Sequence, residues 1–204
     1  MNTSLIILLH GVGSSGDDLL PLADAWKHQL PGCDFASPDA PTHSDFGQGY
    51  QWFSVVGVTE QNRPRRIQAA RASFDTTLAR LMAVRGLEGQ PEKVVLAGFS
   101  QGATMALDAV ASGRWPVAGV VAFSGRLATP LPLTPAAAQT PVLLLHGGQD
   151  DVIPASESPL AARLLSAVGM KATAKIIPGL GHTLSPEGIT LAGRFIAQAV
   201  SRER

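Results

Sequence analysis

A single cysteine, Cys33, stands in 204 residues. It excludes an intrachain disulfide framework and a multi-cysteine metal site, and it fits a reducing compartment. With no base or metal partner indicated beside it, Cys33 reads as buried filler. An excess of one charge is also missing: 16 basic residues balance 16 acidic ones. Without a basic or acidic block, the electrostatic footprint of a nucleic-acid or anionic-membrane binder is absent, and the expected partner is a small or neutral molecule. Long hydrophobic runs are lacking too. The opening stretch MNTSLIILLHG holds one short apolar run with no positive lead, too short for a signal sequence or a membrane span, so a cytoplasmic protein is expected.

What is present is a hydrophobic content of 45% in a chain long enough for one sizeable core. A single domain over residues 1–204 is expected. Short aliphatic runs at 4–9 (SLIILL), 93–98 (KVVLAG), 117–124 (VAGVVAFS), 141–146 (PVLLLH) and 173–178 (TAKIIP) read as strands covered on both faces, with 33–38 (CDFASP) a weaker sixth. Between them, Ile67, Ala70, Phe74, Leu78 and Leu81 recur at helical spacing on a segment ending near Gly86. An amphipathic helix is expected after residue 100. Ser158-Pro159 and Ser185-Pro186 read as helix starts, the first carrying Leu160, Leu164 and Val168 on one face and the second Ile189, Phe195, Ile196 and Val200. This alternation predicts an α/β fold: a mostly parallel, doubly wound sheet of about six to seven strands with helices on both faces. Residues 40–66 and the proline-rich 125–140 break the rhythm, and long connections of that kind often carry function.

Gly98-Phe99-Ser100-Gln101-Gly102 is a G-x-S-x-G placed between an apolar strand and a helix. In that context the glycines allow a sharp turn that holds a serine hydroxyl proud of the sheet. Such a hydroxyl needs a base, and the base needs an orienting acid. His10 and His146 each end a strand and read as loop buttresses, His28 falls in an apparent helix, and His43 lies in the early connection. His182, on a glycine-rich loop after the last strand, is at the carboxyl edge of the sheet where ligands bind, and it is the expected base, with His43 the alternative. Asp150 and Asp151 both fall between Ser100 and His182, matching the serine, acid, histidine order of α/β-hydrolases. Adjacent residues of an extended segment point opposite ways, so only one can face His182.

The oxyanion of acyl transfer requires aimed donors. The backbone N–H of Gln101, at a helix N-terminus, is one candidate, and the N–H of Val12, on the loop after the first strand, is the other. Asp17 and Asp18 on that loop read as favourable first-turn charges. Trp52 and Phe53, from the early connection, are candidates for walling an acyl site.

These segments together resemble the phospholipase/carboxylesterase group of α/β-hydrolases, which includes acyl-protein thioesterases and small bacterial carboxylesterases. LLHGVG is similar to the group's oxyanion loop, SPDAPTH to its proline-rich element, LAGFSQGA to its serine elbow, HGGQDDVIP to its acid loop and GLGH to its histidine loop, while QWFSVVGVTEQNRPRRI resembles the bacterial esterase branch. The resemblance implies Asp150, four positions after His146, as the acid, with Asp151 at a variable position. It also implies a small core with no separate cap domain, no cofactor or metal, and hydrolysis of carboxylic esters and, in some members, thioesters. The expected function is therefore a serine carboxylesterase for short to medium acyl esters. A thioesterase or lysophospholipase using the same residues is the alternative, and a hydrolase-fold binding protein without turnover is the remote one.

Overall fold

The computed structural model describes residues 4–135 and 140–201. In chain order they form β1 (Ser4–Leu9), α1 (Leu20–Trp26), β2 (Cys33–Ala36), β3 (Thr42–His43), β4 (Tyr50–Gln51) and α2 (Arg63–Ala83). There follow β5 (Val94–Phe99), α3 (Gln101–Ala111), β6 (Gly119–Phe123), β7 (Pro141–Gly147), α4 (Glu157–Ala167), β8 (Lys171–Ile177) and α5 (Pro186–Ser201). All six expected strands pair into one sheet in the order β2-β1-β5-β6-β7-β8, every neighbour parallel. β3 and β4 form a separate antiparallel ribbon.

Parallel strands need crossovers, and the helices supplying them cover both faces. Successive β1 residues alternate between two cores. Leu5, Ile7 and Leu9 pack with Phe74 and Leu78 of α2 and Leu165 of α4, whereas Ile6 and Leu8 pack with Trp26 of α1 and Ile196 of α5. Each such side chain, fully buried, contributes about 1.5–3 kcal/mol. From β1 the chain proceeds to β2 on one side and later to β5 on the other. The loops leaving β1 and β5 therefore diverge at the carboxyl edge and open a crevice there. Among the described residues no separate cap domain covers it.

Several local expectations are corrected. α3 is buried on every side rather than amphipathic, because Gly102, Ala103, Ala106 and Ala109 let it pass close to its neighbours. Its one charged residue, Asp108, is fully buried and accepts from Arg71 Nε (2.9 Å) and Nη2 (2.8 Å) and from Arg114 Nη1 (2.8 Å). Without those partners the carboxylate would cost several kcal/mol.

α4 begins one residue before Ser158, with Ser156 at its N-cap position but making no side-chain capping bond, and Ala161 and Leu165 face the core while Leu160 and Leu164 are exposed. Two stripes share that helix, and the sequence signal marked the outer one. β8 is an edge strand whose outer face carries Lys171, Thr173 and Lys175, where charge discourages pairing with another chain. On α2, Met82 rather than Leu81 completes the buried stripe. Cys33 is half-buried, and His28 lies in the turn after α1. Within the proline-rich stretch, residues 136–139 lie outside the described residues, and the described part has neither helix nor strand.

Candidate active site

Three loops at the carboxyl edge bring Ser100, Asp150 and His182 together. Ser100 occupies a left-handed conformation (φ 54°, ψ −112°) that a residue with a Cβ adopts only under constraint. The constraint comes from both sides: its N–H donates to the Phe123 carbonyl at 2.8 Å, and its carbonyl accepts from Thr104 N at 3.0 Å as α3 begins. The flanking glycines are required by contact. A Cβ on Gly98 would collide with the backbone of Gly102 and Ala103, and one on Gly102 would run into the Leu9 carbonyl oxygen.

His182 Nε2 lies 3.0 Å from Ser100 Oγ, and Nδ1 lies 2.7 Å from Asp150 Oδ2. An ionised Asp150 can only accept, so Nδ1 carries the proton and Nε2 is left free to accept from the serine hydroxyl. Phe99 packs against the His182 ring at a centroid distance of 4.9 Å. The Asp150 side chain is fully buried. Burial pushes its carboxyl pKa up, but the Ile153 N–H (2.8 Å), the His182 ring and the Val152 N–H (2.9 Å) together hold it below the ordinary carboxylate value. Asp151 is exposed. The acid and histidine loops are knitted by Gly148 N to the Ile177 carbonyl and Gln149 N to the Leu180 carbonyl, both 2.8 Å. A Cβ at Gly147 would collide with the carbonyls of Leu180 and Gly181.

His10, His146 and His43 divide between strut and surface. His10 Nε2 accepts from Ala40 N–H at 2.9 Å, which leaves Nδ1–H to donate to the Gly11 carbonyl at 2.7 Å. Burial lowers its pKa, so it is a neutral strut at the root of the loop after β1. His146 is also fully engaged, with Ser158 Oγ at 2.7 Å from Nδ1 and the Ile153 carbonyl at 2.9 Å from Nε2. His43 stacks on Tyr50 in the exposed ribbon, with no hydrogen bond to Ser100 or Asp150. Asp18 accepts from Ser14 Oγ (2.6 Å) and Ser15 N (2.9 Å), ordering the loop that holds Val12, and Asp17 sits beside it in the same short 3-10 turn.

Beside Ser100 is a cleft of about 210 Å³ lined by Val12, Gln101, Phe53, Val152 and Ile153, with the guanidinium-bearing Arg63 and Arg126 in its wall. The backbone N–H groups of Val12 and Gln101 donate to no acceptor among the described residues. Phe53 reaches the cleft, but Trp52 does not. Trp52 is 2% exposed, its indole N–H donates to the His10 carbonyl at 3.0 Å, and its ring meets the edge of Phe74. Its expected place in the acyl wall is thus corrected to a core anchor.

Some contributors carry no motif. The Gln101 side chain accepts from Trp52 N–H at 2.7 Å and donates to the Phe53 carbonyl at 2.8 Å, clamping the early connection against the elbow. His146 Nε2 lies 3.2 Å from Asp150 Oδ2 and helps to place that carboxylate. The i, i+4 spacing of these two residues was the available signal. Among the described residues no group of three His, Cys, Asp or Glu side chains is placed to hold a metal ion, and no helix is long and apolar enough to cross a membrane.

Known proteins resemble this chain over most of their length. Esterase YpfH of Escherichia coli (strain K12) is 32% identical over 188 residues, covering 92% of this chain and 79% of that protein. An acyl-protein thioesterase 1 of Gibberella zeae is 26% identical over 211 residues, covering 96% of this chain and 90% of the relative. Among solved structures, esterase PE8 superposes with a TM-score of 0.87 at 37% identity, covering 96% of this chain and 92% of that one. The model of the phospholipase/carboxylesterase family matches residues 1–200. On that match and these relatives, the chain belongs to the phospholipase/carboxylesterase family and is a carboxylic ester hydrolase with the α/β-hydrolase fold.

Proposed function

We propose that the protein hydrolyses short to medium acyl esters through an acyl-enzyme formed on Ser100. His182 Nε2 takes the hydroxyl proton as Oγ bonds to the ester carbonyl carbon, and the imidazolium then gives that proton to the departing alcohol oxygen. Water repeats the cycle on the acyl-enzyme and releases the acid. Asp150 holds the Nδ1–H tautomer and stabilises the transient imidazolium. The free N–H groups of Val12 and Gln101 receive the developing oxyanion, each aimed donor supplying about 3–4 kcal/mol.

The observation that carries this reading is the unbroken chain from Asp150 to His182 to Ser100, at 2.7 and 3.0 Å, opening on an apolar cleft. A cleft of about 210 Å³ is below the usual range of roughly 300–1,000 Å³ for drug-sized ligands, which supports short acyl groups. A thioesterase reading uses the same residues. The two relatives named as esterases, at 32% and 37% identity, stand above the thioesterase at 26% and favour oxygen esters.

A fluorophosphonate probe should label Ser100, and labelling should vanish in Ser100→Ala. Absence of labelling in folded protein would remove the proposal. A graded panel of p-nitrophenyl esters, run beside an acyl-CoA and a lysophospholipid, should show kcat/KM highest for the shorter acyl esters.

A further inference from the structure

Six arginines are half-buried among the described residues: Arg63, Arg66, Arg71, Arg85, Arg114 and Arg126. Four have acceptors. Arg71 and Arg114 hold Asp108, Arg85 holds Asp34, and Arg66 donates to the Ser54 carbonyl. The other two stand in the wall of the Ser100 cleft, at its junction with a neighbouring groove of about 680 Å³. The Arg126 side chain is only 14% exposed, and its nearest acid, Glu157, is 3.9 Å away, too far for a hydrogen bond. The Arg63 guanidinium makes no hydrogen bond or ion pair among the described residues. Burial and then Arg126 depress its pKa, against smaller opposing effects of Glu157 and Glu60.

The position of Arg63 is itself unfavourable. It opens α2, a helix of 21 residues with no acidic side chain in its first turn. The positive end of the helix dipole therefore falls on a cation, the reverse of the stabilising arrangement. Two under-partnered guanidinium groups and a helix N-terminus thus converge on one spot. The rest of the wall is largely apolar, with Val55, Val58, Val152 and Ile153, so an anion bound there would be weakly screened. Local unfavourable choices of this kind are characteristic of functional sites.

We propose that Arg63 and Arg126 form an anion subsite of the Ser100 cleft, and that the substrates are esters carrying a carboxylate within reach of the scissile carbonyl. The inference rests on the hydrolase reading given above. The planar guanidinium matches a carboxylate in a two-bond fork. The balanced charge of the whole chain, which led to the expectation of a small or neutral partner, does not describe this local field.

Two pairs of isosteric esters test the proposal and separate an acyl-side from an alcohol-side carboxylate. The first compares monoethyl adipate with ethyl adipamate. The second compares the hexanoate ester of 3-hydroxypropanoate with that of 3-hydroxypropanamide. In one pair, kcat/KM for the carboxylate should exceed that for the amide by about tenfold or more, the scale of a charge-assisted hydrogen bond. The ratio should fall toward one in Arg63→Gln or Arg126→Gln. In the unaltered protein it should also shrink as ionic strength rises from about 0.01 to about 1 M, because salt screens the long-range steering of the charged substrate into the cleft even where the bound pair is shielded. The salt series needs no variant to fold. A ratio near one in both pairs, in protein whose Ser100 still takes the fluorophosphonate, would overturn the subsite alone, as would a preference unchanged in both variants. Loss of labelling would instead remove the hydrolase reading beneath it.

Discussion

At the scale of single residues, Asp150 and Asp151 show how one bond angle's worth of direction divides adjacent carboxylates. The Asp150 side chain is buried and accepts three hydrogen bonds, from Val152 N, Ile153 N and His182 Nδ1, whereas Asp151 is exposed. Asp150→Asn should lower kcat by up to about 10⁴-fold, as replacement of an orienting acid does elsewhere, while Asp151→Asn should leave steady-state kinetics near those of the parent. The depressed carboxyl pKa carries a second expectation. Because the folded state favours the charged form, its contribution to stability is fully present above the ordinary carboxylate value of about 3.9 and is lost as pH falls through the lower folded value. The urea midpoint of the parent should exceed that of Asp150→Asn at neutral pH, with the charge-dependent part of the gap closing below about pH 4. A gap that does not narrow at lower pH would contradict the assigned direction.

At the scale of elements, the turn from β5 into α3 is set by packing rather than propensity. Alanine favours a helix over glycine by roughly 0.5–1 kcal/mol, yet at Gly102 its methyl would strike the Leu9 carbonyl. Gly102→Ala should therefore destabilise the protein by about 1–3 kcal/mol and reduce fluorophosphonate labelling. Gly86 follows α2 at φ 66° with open space around it. Gly86→Ala should cost only the backbone strain of about 1–2 kcal/mol and leave labelling unchanged, and urea unfolding of the two variants would compare them.

The sequence made such elements legible where one physical signal dominated. Strands covered on both faces read as aliphatic runs, and the elbow glycines read as a turn. α4 misled because two stripes compete on its surface and only packing decides between Leu160 and Ala161. Asp108 carried no signal at all, since its partners Arg71 and Arg114 meet it only in the folded chain.

At the scale of the whole molecule, the crevice follows from the point where strand order reverses, and residues from distant segments converge on it. Ser100 and His182 were legible because that topology sends their strand ends to one edge, whereas Asp150 was told from Asp151 only through the family resemblance. Arg63 and Arg126 were not, because a charged residue beside a long connection reads as solvated until its burial is seen. Trp52 fastens the same connection to both the β1 loop and α2. Trp52→Ala should lower global stability by about 3–5 kcal/mol, measured by chemical unfolding. Its kinetic losses should be similar across acyl chain lengths, and a loss confined to long chains would return Trp52 to the acyl wall.

Gln101 joins two jobs that a designer would prefer to keep apart. Its side chain grips the main chain on either side of the Trp52–Phe53 peptide, while its own N–H faces the cleft. Insertions or deletions that reshape this connection would reach the elbow through that clamp and alter turnover of every substrate at once. Selectivity is therefore most cleanly re-engineered through the Phe53 side chain, with the backbone of 52–53 kept as a fixed mounting.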